Sequence, residues 1–392
     1  MRYSIVALVL GVVTAALTAC DSGAPEPPGP PEPTGPLLEA ELAPADPEAT
    51  GYTISLSGDR ALLGAPYSGD GAAYVFVRSR AGWVQEARLT HDGSRGNFGA
   101  SVSLSGDRAL VSDPGEREGP VAYVYARTGD GWVREATLDP GLPRTSQFGT
   151  SVSLSGDRAL VGAWWDHPQG LGSGAAYVFV RSETGWTQEA VLTSENRRWH
   201  DYFGRAVSLS GDRALIGAPN RRRSGGAEGA VFAFARTGGE WVQEAELAVD
   251  LPGEYDEFGT AVSLSGDRAL VGAQFINAEG TTEPVMPGAA YVFTRTGNGW
   301  SQEAELTVDG AYLDEQEVSL SGEQALVRDQ FGTAAYWFVR AGGRWVVKDT
   351  LAVRGDARFG AISFSGDRAL IGASDSGGAG ALVFSGLGPS PY

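Results

Sequence analysis

The sequence predicts an all-β fold: a seven-bladed β-propeller of four-stranded antiparallel blades, with the ring closed by an N-terminal strand. Three observations predict it. A Ser-Gly turn recurs seven times, four strand-length segments accompany each full recurrence, and one unmatched segment of the same kind precedes the first repeat. Four-stranded sheets repeated around an axis are the architecture that such a pattern specifies.

The glycine of the turn marks the period of the repeat. Its copies lie 44 to 56 residues apart, at Gly58, Gly106, Gly156, Gly211, Gly266, Gly322 and Gly366. In six copies the turn reads Ser-Gly-Asp-Arg. Gly and Asp tolerate the backbone of a two-residue hairpin, so the Asp-Arg pair is interpreted as part of a turn rather than as a repeated active site.

Each full unit contains four segments of strand length. In the third copy, residues 151–155 alternate apolar residues with serine, and residues 158–163 are almost continuously apolar. Residues 175–180 follow a variable loop, and residues 186–192 begin with tryptophan and end the unit. No window beyond the N-terminal segment shows sustained helical periodicity, so four short antiparallel strands are predicted for each unit.

The residue types of these segments fit the taper of a blade. The first two strands place Ser, Ala and Gly between larger apolar residues, as expected where neighbouring blades converge on an axis. A tryptophan opens the fourth strand of six units. We interpret it as a seal between blades, since burying an aromatic ring removes about 150–250 Å² from water. These residues are Trp83, Trp132, Trp186, Trp241, Trp300 and Trp345.

The two ends of the repeat region complement each other. The seventh unit stops after its third strand, and residues 37–43, Leu-Leu-Glu-Ala-Glu-Leu-Ala, match the missing fourth strand. We expect this segment to pair into the last blade and close the ring, because closure removes the exposed strand edges of an open array.

The N-terminus has the anatomy of a signal peptide. A positive start at Arg2 precedes a short apolar run, which ends in Leu17-Thr18-Ala19-Cys20. This ending resembles a bacterial lipobox, which implies cleavage before Cys20 and lipidation of its sulfur. The alternative is an ordinary signal peptide in which the cysteine is incidental. Residues 21–36 are rich in Pro, Gly and acidic residues, so they are predicted to be an extended tether.

The predicted organisation follows from these boundaries. It comprises a signal peptide (1–19), the lipidated Cys20 with its tether (20–36), the propeller (37–386) and a tail (387–392). The blades are predicted at 51–90, 98–139, 148–193, 203–249, 258–308, 316–353 and 359–386 plus 37–43. We expect an extracytoplasmic protein of the bacterial cell envelope that contacts the membrane only through its lipid anchor. Its formal charge of −18 excludes a general nucleic-acid binder, which needs a basic surface.

The repeat resembles a known family. Phe148-Gly149 opens a unit and Val161-Gly162-Ala163 ends its second strand, while Phe203-Gly204 pairs with Ile216-Gly217-Ala218-Pro219. This pattern is similar to the FG-GAP repeat of integrin α-subunits and of many bacterial surface proteins. The resemblance spans about residues 37–386 and implies a seven-bladed propeller that serves extracellular binding.

The chain departs from that family in two places. Integrin-type units carry a calcium loop between their first two strands, whereas here this connection is the short Ser-Gly-Asp-Arg turn with one carboxylate. Calcium needs about six to eight oxygen ligands, so neither calcium nor another cofactor is expected. The sixth unit reads Ser321-Gly322-Glu323-Gln324, has Val327-Arg328-Asp329 in place of Val-Gly-Ala, and lacks the opening Phe-Gly.

One group of loop residues is predicted to bind a ligand, because neighbouring blades place the variable loops of one face side by side. The group combines aromatic rings with arginines, which stack on aromatics and bind acidic groups through a fork of donors. The expected ligand is an acidic glycan or an acidic protein of the envelope or its surroundings; the alternative is simple loop packing. The residues are Trp164, Trp165, His167, Arg197, Arg198, Trp199, His200, Tyr202, Arg221, Arg222 and Arg223.

Weaker candidates lie elsewhere on the loops. His167 and His200 with Asp166 or Asp201 have no recognised metal-binding spacing. Two acidic loops offer cation ligands, and Arg354-Gly355-Asp356 is an integrin-recognition tripeptide. The acidic residues are Asp250, Glu254, Asp256 and Glu257 in one loop and Asp309, Asp314, Glu315 and Glu317 in the other.

No catalytic residue is assigned, since no nucleophile elbow, phosphate loop or His-Glu-x-x-His motif is present. Three functions therefore stay open. The first is a non-catalytic binding module, the second a glycan-active enzyme that uses the His and Asp residues of these loops, and the third a structural envelope component.

Overall fold

The computed structural model describes residues 35–46, 49, 53–92, 96–115, 119–167, 172–196, 198–222, 228–249, 257–273, 288–297, 299–311, 313–352, 358–375 and 378–388. They form seven four-stranded antiparallel sheets, so the predicted seven-bladed propeller is confirmed. Cys20 and residues 21–34 of the predicted tether lie outside the described residues. None of the helical segments in the described part is long and apolar enough to span a membrane.

The strands follow the chain in blade order. The first strand is β1 (Leu37–Leu42). Blade 1 contains β2 (Thr53–Ser57), β3 (Arg60–Ala65), β4 (Ala72–Ser79) and β5 (Gly82–Leu89). Blade 2 contains β6 (Val102–Ser105), β7 (Arg108–Asp113), β8 (Val121–Thr128) and β9 (Gly131–Leu138). Blade 3 contains β10 (Phe148–Ser155), β11 (Arg158–Ala163), β12 (Ala175–Ser182) and β13 (Gly185–Leu192). A 3-10 turn at Arg144–Ser146 precedes blade 3.

The remaining blades repeat this order. Blade 4 contains β14 (Ala206–Ser210), β15 (Arg213–Ala218), β16 (Ala230–Thr237) and β17 (Glu240–Leu247). Blade 5 contains β18 (Val262–Ser265), β19 (Arg268–Ala273), β20 (Ala289–Thr296) and β21 (Gly299–Leu306). Blade 6 contains β22 (Leu313–Ser321), β23 (Gln324–Asp329), β24 (Ala334–Ala341) and β25 (Arg344–Ala352). Blade 7 contains β26 (Arg358–Ser365), β27 (Arg368–Asp375) and β28 (Gly378–Ser385), and β1 completes it.

The N-terminal strand closes the ring as predicted. It pairs antiparallel with β28, from Leu37 opposite Ser385 to Leu42 opposite Ala381. The chain thus begins its folded part in the same sheet in which it ends. The two ends of the propeller are joined by backbone hydrogen bonds, and β28 is not left as an open edge.

The recurring turn is the tight hairpin that its sequence predicts. Ser155 pairs with Arg158, and only Gly156 and Asp157 lie between them. Gly156 has a φ of +58°, while Asp157 stays out of the left-handed region. Glycine at the first central position with φ above zero is the pattern of a type II′ turn.

The Phe-Gly pair, where a repeat has it, packs that blade against the one before it, as blade 4 shows. Phe203 is fully buried and forms a bridge with Gly174, the last loop residue of the preceding blade. Gly204 has a φ of +93°, and a Cβ there would lie 2.3 Å from the carbonyl oxygen of Ala175. Only glycine fits so close to a neighbouring backbone, which explains the Phe-Gly pair in physical terms.

A ladder of serine hydroxyls links the innermost strands. The backbone N–H of Leu154 donates to Ser103 Oγ at 2.9 Å, and that of Gly156 donates to Ser105 Oγ at 3.1 Å. The same two bonds recur at every junction between consecutive blades, including Leu56 N–H to Ser363 Oγ at 2.9 Å where blade 7 meets blade 1. The alternating serines therefore provide acceptors for backbone donors that the blade itself leaves unpaired.

A second contact, the junction cluster, links the outer strands. Each outer strand has a β-bulge, and in six blades the bulged residue is a glutamate. In blade 2, Glu135 accepts bonds from Arg108 of its own blade at 3.0 Å and from Arg181 and Trp186 of blade 3 at 2.5 and 3.1 Å. Equivalent glutamates bind the next blade at Glu39, Glu86, Glu189, Glu244 and Glu303.

The cluster explains the repeated tryptophan. Five of the six donate their indole N–H to the bulge glutamate of the preceding blade, and Trp345 contacts the core between blades 5 and 6 without such a bond to a described residue. Partial burial alone raises the pKa of Glu135, but bonds from Arg181, Trp186 and Arg108 outweigh it and hold the pKa below its usual value. The pKa values of Glu39, Glu86, Glu189 and Glu244 are lowered in the same way.

The junction between blades 6 and 7 lacks all four members of the cluster. The bulged residue is Lys348, which is the only lysine of the chain, and Gln324 replaces the first arginine. Gly386 and Pro36 occupy the positions of the second arginine and the tryptophan, by alignment along the paired strands. Gln324 instead accepts a bond from the indole N–H of the buried Trp337 at 3.0 Å.

Blade 6 keeps four paired strands despite its divergent sequence. Arg328, which stands where other second strands have glycine or serine, donates to the carbonyl oxygen of Phe359 at 2.5 Å and forms an ion pair with Asp314. Asp329 accepts bonds from the backbone N–H groups of Thr333 and Ala334. Polar contacts thus hold this blade where the others use close backbone packing.

Deleting residues 37–43 is expected to lower stability sharply. The deletion removes a paired strand, exposes the edge of β28 and takes Glu39 away from Arg78, Arg368 and Trp83. We expect the melting temperature to fall by more than 10 °C in a thermal scan. Glu39→Gln is the matched control, because it keeps the strand and removes only the charge. An unchanged melting temperature in the deletion would contradict closure by β1.

Glu135→Gln is expected to destabilise the fold by about 1.5–3 kcal/mol, since hydrogen bonds to charged groups contribute about that much. Lys348→Gln, at the equivalent bulge without a cluster, is expected to stay within about 0.5 kcal/mol of the wild type. Urea unfolding at pH 7 measures both. A glutamate whose pKa is lowered by folding stabilises above its unfolded pKa and loses this effect as pH falls through the folded pKa. The penalty of Glu135→Gln should therefore shrink below about pH 4, and equal penalties at pH 7 and pH 3 would contradict this account.

Candidate functional site

The structure brings the predicted aromatic residues together on one face. We call this side the loop face: it carries the loops between second and third strands and the loops that enter each blade. The loop after β11 supplies Trp164 and Trp165, and the loop entering blade 4 supplies His200 and Tyr202. The ring of Trp164 lies 4.9 Å from that of Tyr202, and Trp165 stacks on His200 at 4.9 Å between centroids. These four residues and Trp199 are named the aromatic cluster.

Trp199 is the outermost ring of the cluster. Its side chain is 70 % exposed, and it stacks on His200 with centroids 3.8 Å apart. A Cβ at Gly172 would lie 2.8 Å from His167 Cε1 and 3.2 Å from Trp199 Nε1. The two rings therefore pack over a position that only glycine fills without displacing them. The result is a continuous stack of rings with one broad face open to solvent.

The backbone of the entry loop is held in an unusual conformation. His200 has a φ of +65°. Its N–H donates to Gly172 O at 2.9 Å, and its carbonyl accepts from the Asn220 amide at 2.9 Å. Such a conformation is costly for a residue with a side chain and persists only when surrounding contacts impose it. Tyr202 also has a positive φ of 58°. This conformation belongs to the repeat, because Gln147 and Glu257, which likewise precede the Phe of a Phe-Gly pair, have a positive φ as well.

Arg221 is a positioning residue. Its side chain is 5 % exposed and donates to Asp201 Oδ2 at 2.7 Å and to Asn196 O at 2.5 Å. Its guanidinium also lies 5.7 Å from the centre of the Phe232 ring. Burial raises the pKa of Asp201, and this effect outweighs the hydrogen bonds from the Arg198 N–H and Arg221, which lower it. In this structure the buried guanidinium of Arg221 joins the entry loop to the loop after β15.

The aspartates beside the histidines also have structural roles. Asp166 is buried and accepts bonds from the Tyr177 hydroxyl at 2.5 Å and from the His167 N–H at 2.8 Å. Asp201 holds Arg221. The alternative of acid–base catalysis by a histidine and a neighbouring aspartate thus draws on carboxylates that already fix the loops. No group of three His, Cys, Asp or Glu among the described residues is arranged to hold a metal ion.

Two arginines of the predicted group reach solvent in the described part of the chain. Arg198 is exposed and donates to the carbonyl oxygen of Arg222 at 3.0 Å, and Arg222 is exposed as well. Arg197 and Arg223 lie outside the described residues, as do Asp250, Glu254, Asp256 and the tripeptide 354–356. The aromatic half of the predicted site is thus well defined, and its basic half rests on Arg198 and Arg222.

The mouth of the central channel is a further candidate site that the motifs of the sequence do not predict. A cavity of about 310 Å³ opens there, and its lining includes Thr150, Ser151, Arg205, Thr260 and Glu317. Glu317 was predicted only as part of an acidic entry loop, and Arg205 was not singled out. Comparison of the repeats with one another would identify both residues, because Arg205 and Glu317 are charged at positions where the other copies carry small residues.

The fold and the gathered loops define a seven-bladed β-propeller with variable residues concentrated on one face. The chain contains FG-GAP repeats: the FG-GAP repeat family model matches residues 83–125, 144–179, 186–234 and 241–293. This confirms the resemblance carried by the Phe-Gly and Gly-Ala residues. An FG-GAP propeller fold indicates an interaction module.

Comparison with solved structures supports the architecture alone. The chain is similar to Sqt1 of Saccharomyces cerevisiae, with a TM-score of 0.51 and 11 % sequence identity. The match covers 86 % of this chain and 83 % of that one. No curated protein matches the chain.

Proposed function

We propose that this protein is a non-catalytic interaction module, anchored by lipid to the bacterial envelope, whose aromatic cluster binds an acidic glycan. The observation that carries the proposal is the exposed face of Trp199, stacked on His200 and Trp165 behind it. The face of an aromatic ring is electron-rich, and the C–H groups on the flat side of a sugar ring complement it.

The exposure of Trp199 has no structural purpose in the repeat. The tryptophans that open the fourth strands are at least partly covered and pack against the core between blades. Trp199 belongs to a loop found in one blade only, and it adds little to the core in its exposed position. Contiguous exposed apolar surface on a soluble protein commonly marks a binding site.

The cluster is held rigidly before any ligand arrives. Asp201 and Arg221 fix the base of the entry loop, and Gly172 O holds the backbone of His200. A site whose side chains are already ordered loses less conformational entropy on binding. These contacts support recognition of a ligand of fixed shape, such as a ring of a polysaccharide.

Charge favours an acidic glycan over a neutral one. Arg198 and Arg222 are exposed next to the cluster in a protein with a net charge of −18. Guanidinium groups bind carboxylate and sulfate through paired donors. The combination of stacked rings with two exposed arginines therefore fits a uronic or sulfated sugar.

Trp199→Ala is expected to weaken binding to acidic polysaccharides at least tenfold, because it removes the exposed stacking surface. Binding would be measured by isothermal titration with hyaluronan and polygalacturonate, with dextran as the neutral comparison. Arg198→Ala should weaken binding to the acidic chains alone. Tyr67→Ala is the control, since Tyr67 is an aromatic residue that is 73 % exposed in the loop between β3 and β4 of blade 1, outside the aromatic cluster. If wild type binds neither acidic polymer, or if Trp199→Ala binds as wild type does, the glycan proposal fails.

The anchor is tested independently of the ligand. Expressed with its own N-terminus in a bacterium, the wild type should be recovered with membranes and should incorporate labelled fatty acid. Cys20→Ser removes the acceptor sulfur and should abolish incorporation, while Ala19→Gly, which keeps a small residue before the cysteine, should preserve it. Equal labelling of wild type and Cys20→Ser would exclude lipidation at this cysteine.

A further inference from the structure

The mouth of the central channel is a polar cavity separate from the aromatic cluster. It has a volume of about 310 Å³ and opens between the first strands of blades 3 to 6. Thr150, Ser151 and Thr260 contribute hydroxyl groups to its wall, and Arg205 and Glu317 contribute opposite charges. Its size lies at the lower end of the range for small-molecule sites, about 300–1,000 Å³.

Both charged residues depart from the repeat. The residue two positions after the Phe of the Phe-Gly pair is Ala100, Thr150 or Thr260 in other blades, and it is Arg205 in blade 4. The position of Glu317 is otherwise filled by Thr, Ser or Ala, for example by Ser151 in blade 3. The ring closes with small residues at these positions in its other blades, so neither charge is needed to build the channel.

One carboxylate oxygen of Glu317 makes the hydrogen bond that a serine hydroxyl makes at the equivalent position of another repeat. Its Oε2 accepts the Ile362 N–H at 3.0 Å, just as Ser151 Oγ accepts the Val207 N–H at 3.0 Å. A carboxylate has acceptor capacity beyond this bond. Burial raises the pKa of Glu317 to about 7, with Arg328 and the Ile362 N–H opposing the rise and Asp314 adding to it.

Arg205 presents an exposed positive charge at the same cavity. Its side chain is exposed, and within the described part of the chain it has no hydrogen-bond or ion-pair partner. Its charge acts on the nearby Glu257, whose pKa is raised by burial and lowered by Arg205. A guanidinium with a free fork binds a carboxylate through two parallel donors.

We propose that the channel mouth binds a small zwitterion, with the carboxylate of the ligand on Arg205 and its ammonium group on Glu317. The two charged groups belong to blades 4 and 6, on either side of blade 5, so they meet opposite ends of one ligand. Thr260 belongs to the intervening blade 5, and Thr150 and Ser151 of blade 3 also line the cavity. Amino acids and ω-amino acids have this chemistry, and the site is independent of glycan binding.

The test is isothermal titration of the full chain with glycine, γ-aminobutyrate and ε-aminocaproate, which differ in charge separation. At least one should bind, and the single-charge analogues butyrate and n-butylamine should bind at least tenfold more weakly than γ-aminobutyrate if that length is preferred. Arg205→Thr restores a residue found in other repeats, and Glu317→Gln keeps an acceptor for Ile362. Each variant should lose at least tenfold in affinity, whereas Arg222→Gln, outside the channel, should stay within twofold.

The pH dependence gives a second readout that a purely structural role would not produce. The ligand ammonium needs the ionised form of Glu317, so affinity should rise from pH 6 to pH 8 in the wild type and stay flat in Glu317→Gln. Absence of binding by all three zwitterions at 10 mM, or unchanged affinity in both channel variants, would overturn the proposal. Trp199→Ala should leave this binding intact, so failure here and failure of the glycan proposal are distinguishable.

Discussion

The whole ring depends on the need of each inner strand for hydrogen-bond acceptors that lie in another blade. The innermost strand has no strand on its axial side, so part of its backbone N–H groups would be left without a partner in the sheet. The serines of the preceding blade accept these bonds at every junction, and the circle closes when Ser363 and Ser365 serve blade 1. The backbone N–H groups of an inner strand are thus fully paired only when the preceding blade is in place. This dependence makes the ring a cooperative unit.

The junction clusters extend the same dependence to the outer side of the ring. With the inner strands held by serine and the outer strands by the bulge glutamates, stability lies in residues that recur, and the loops between them are free to differ. The loop face therefore carries the exceptions: the aromatic cluster in blades 3 and 4, and the charged residues of the channel in blades 4 and 6. Function and scaffold occupy different positions of the same repeat.

The sequence was sufficient for features that recur and insufficient for features that occur once. Seven copies of one pattern identified the strands, the turn and the closing role of residues 37–43. Adjacency of blades placed Trp164 and Trp165 near His200 and Tyr202. The burial of Arg221 could not be predicted, because it depends on Asp201, twenty positions earlier, and on how two single-copy loops pack. The arginine of the turn pairs with an aspartate of the next blade, as Arg60 does with Asp107, and with the partly buried Glu86 of its own blade. The pair with the glutamate could not be predicted, because it depends on the bulge that turns Glu86 toward the arginine.

The junction between blades 6 and 7 should respond to pH differently from the junctions that contain a bulge glutamate. A glutamate at this bulge without arginine and tryptophan partners would be partly desolvated and unpaired, and the exposed Lys348 avoids that cost. At neutral pH this junction is held on its outer side by packing and by Gln324, and it lacks the ionic contribution of the other six. As the pH falls through the lowered pKa values of five bulge glutamates, their junctions lose the ionic contribution that this junction lacks; the five are Glu39, Glu86, Glu135, Glu189 and Glu244. The difference in strength between this junction and those five is therefore largest in neutral solution and narrows as the solution becomes acidic.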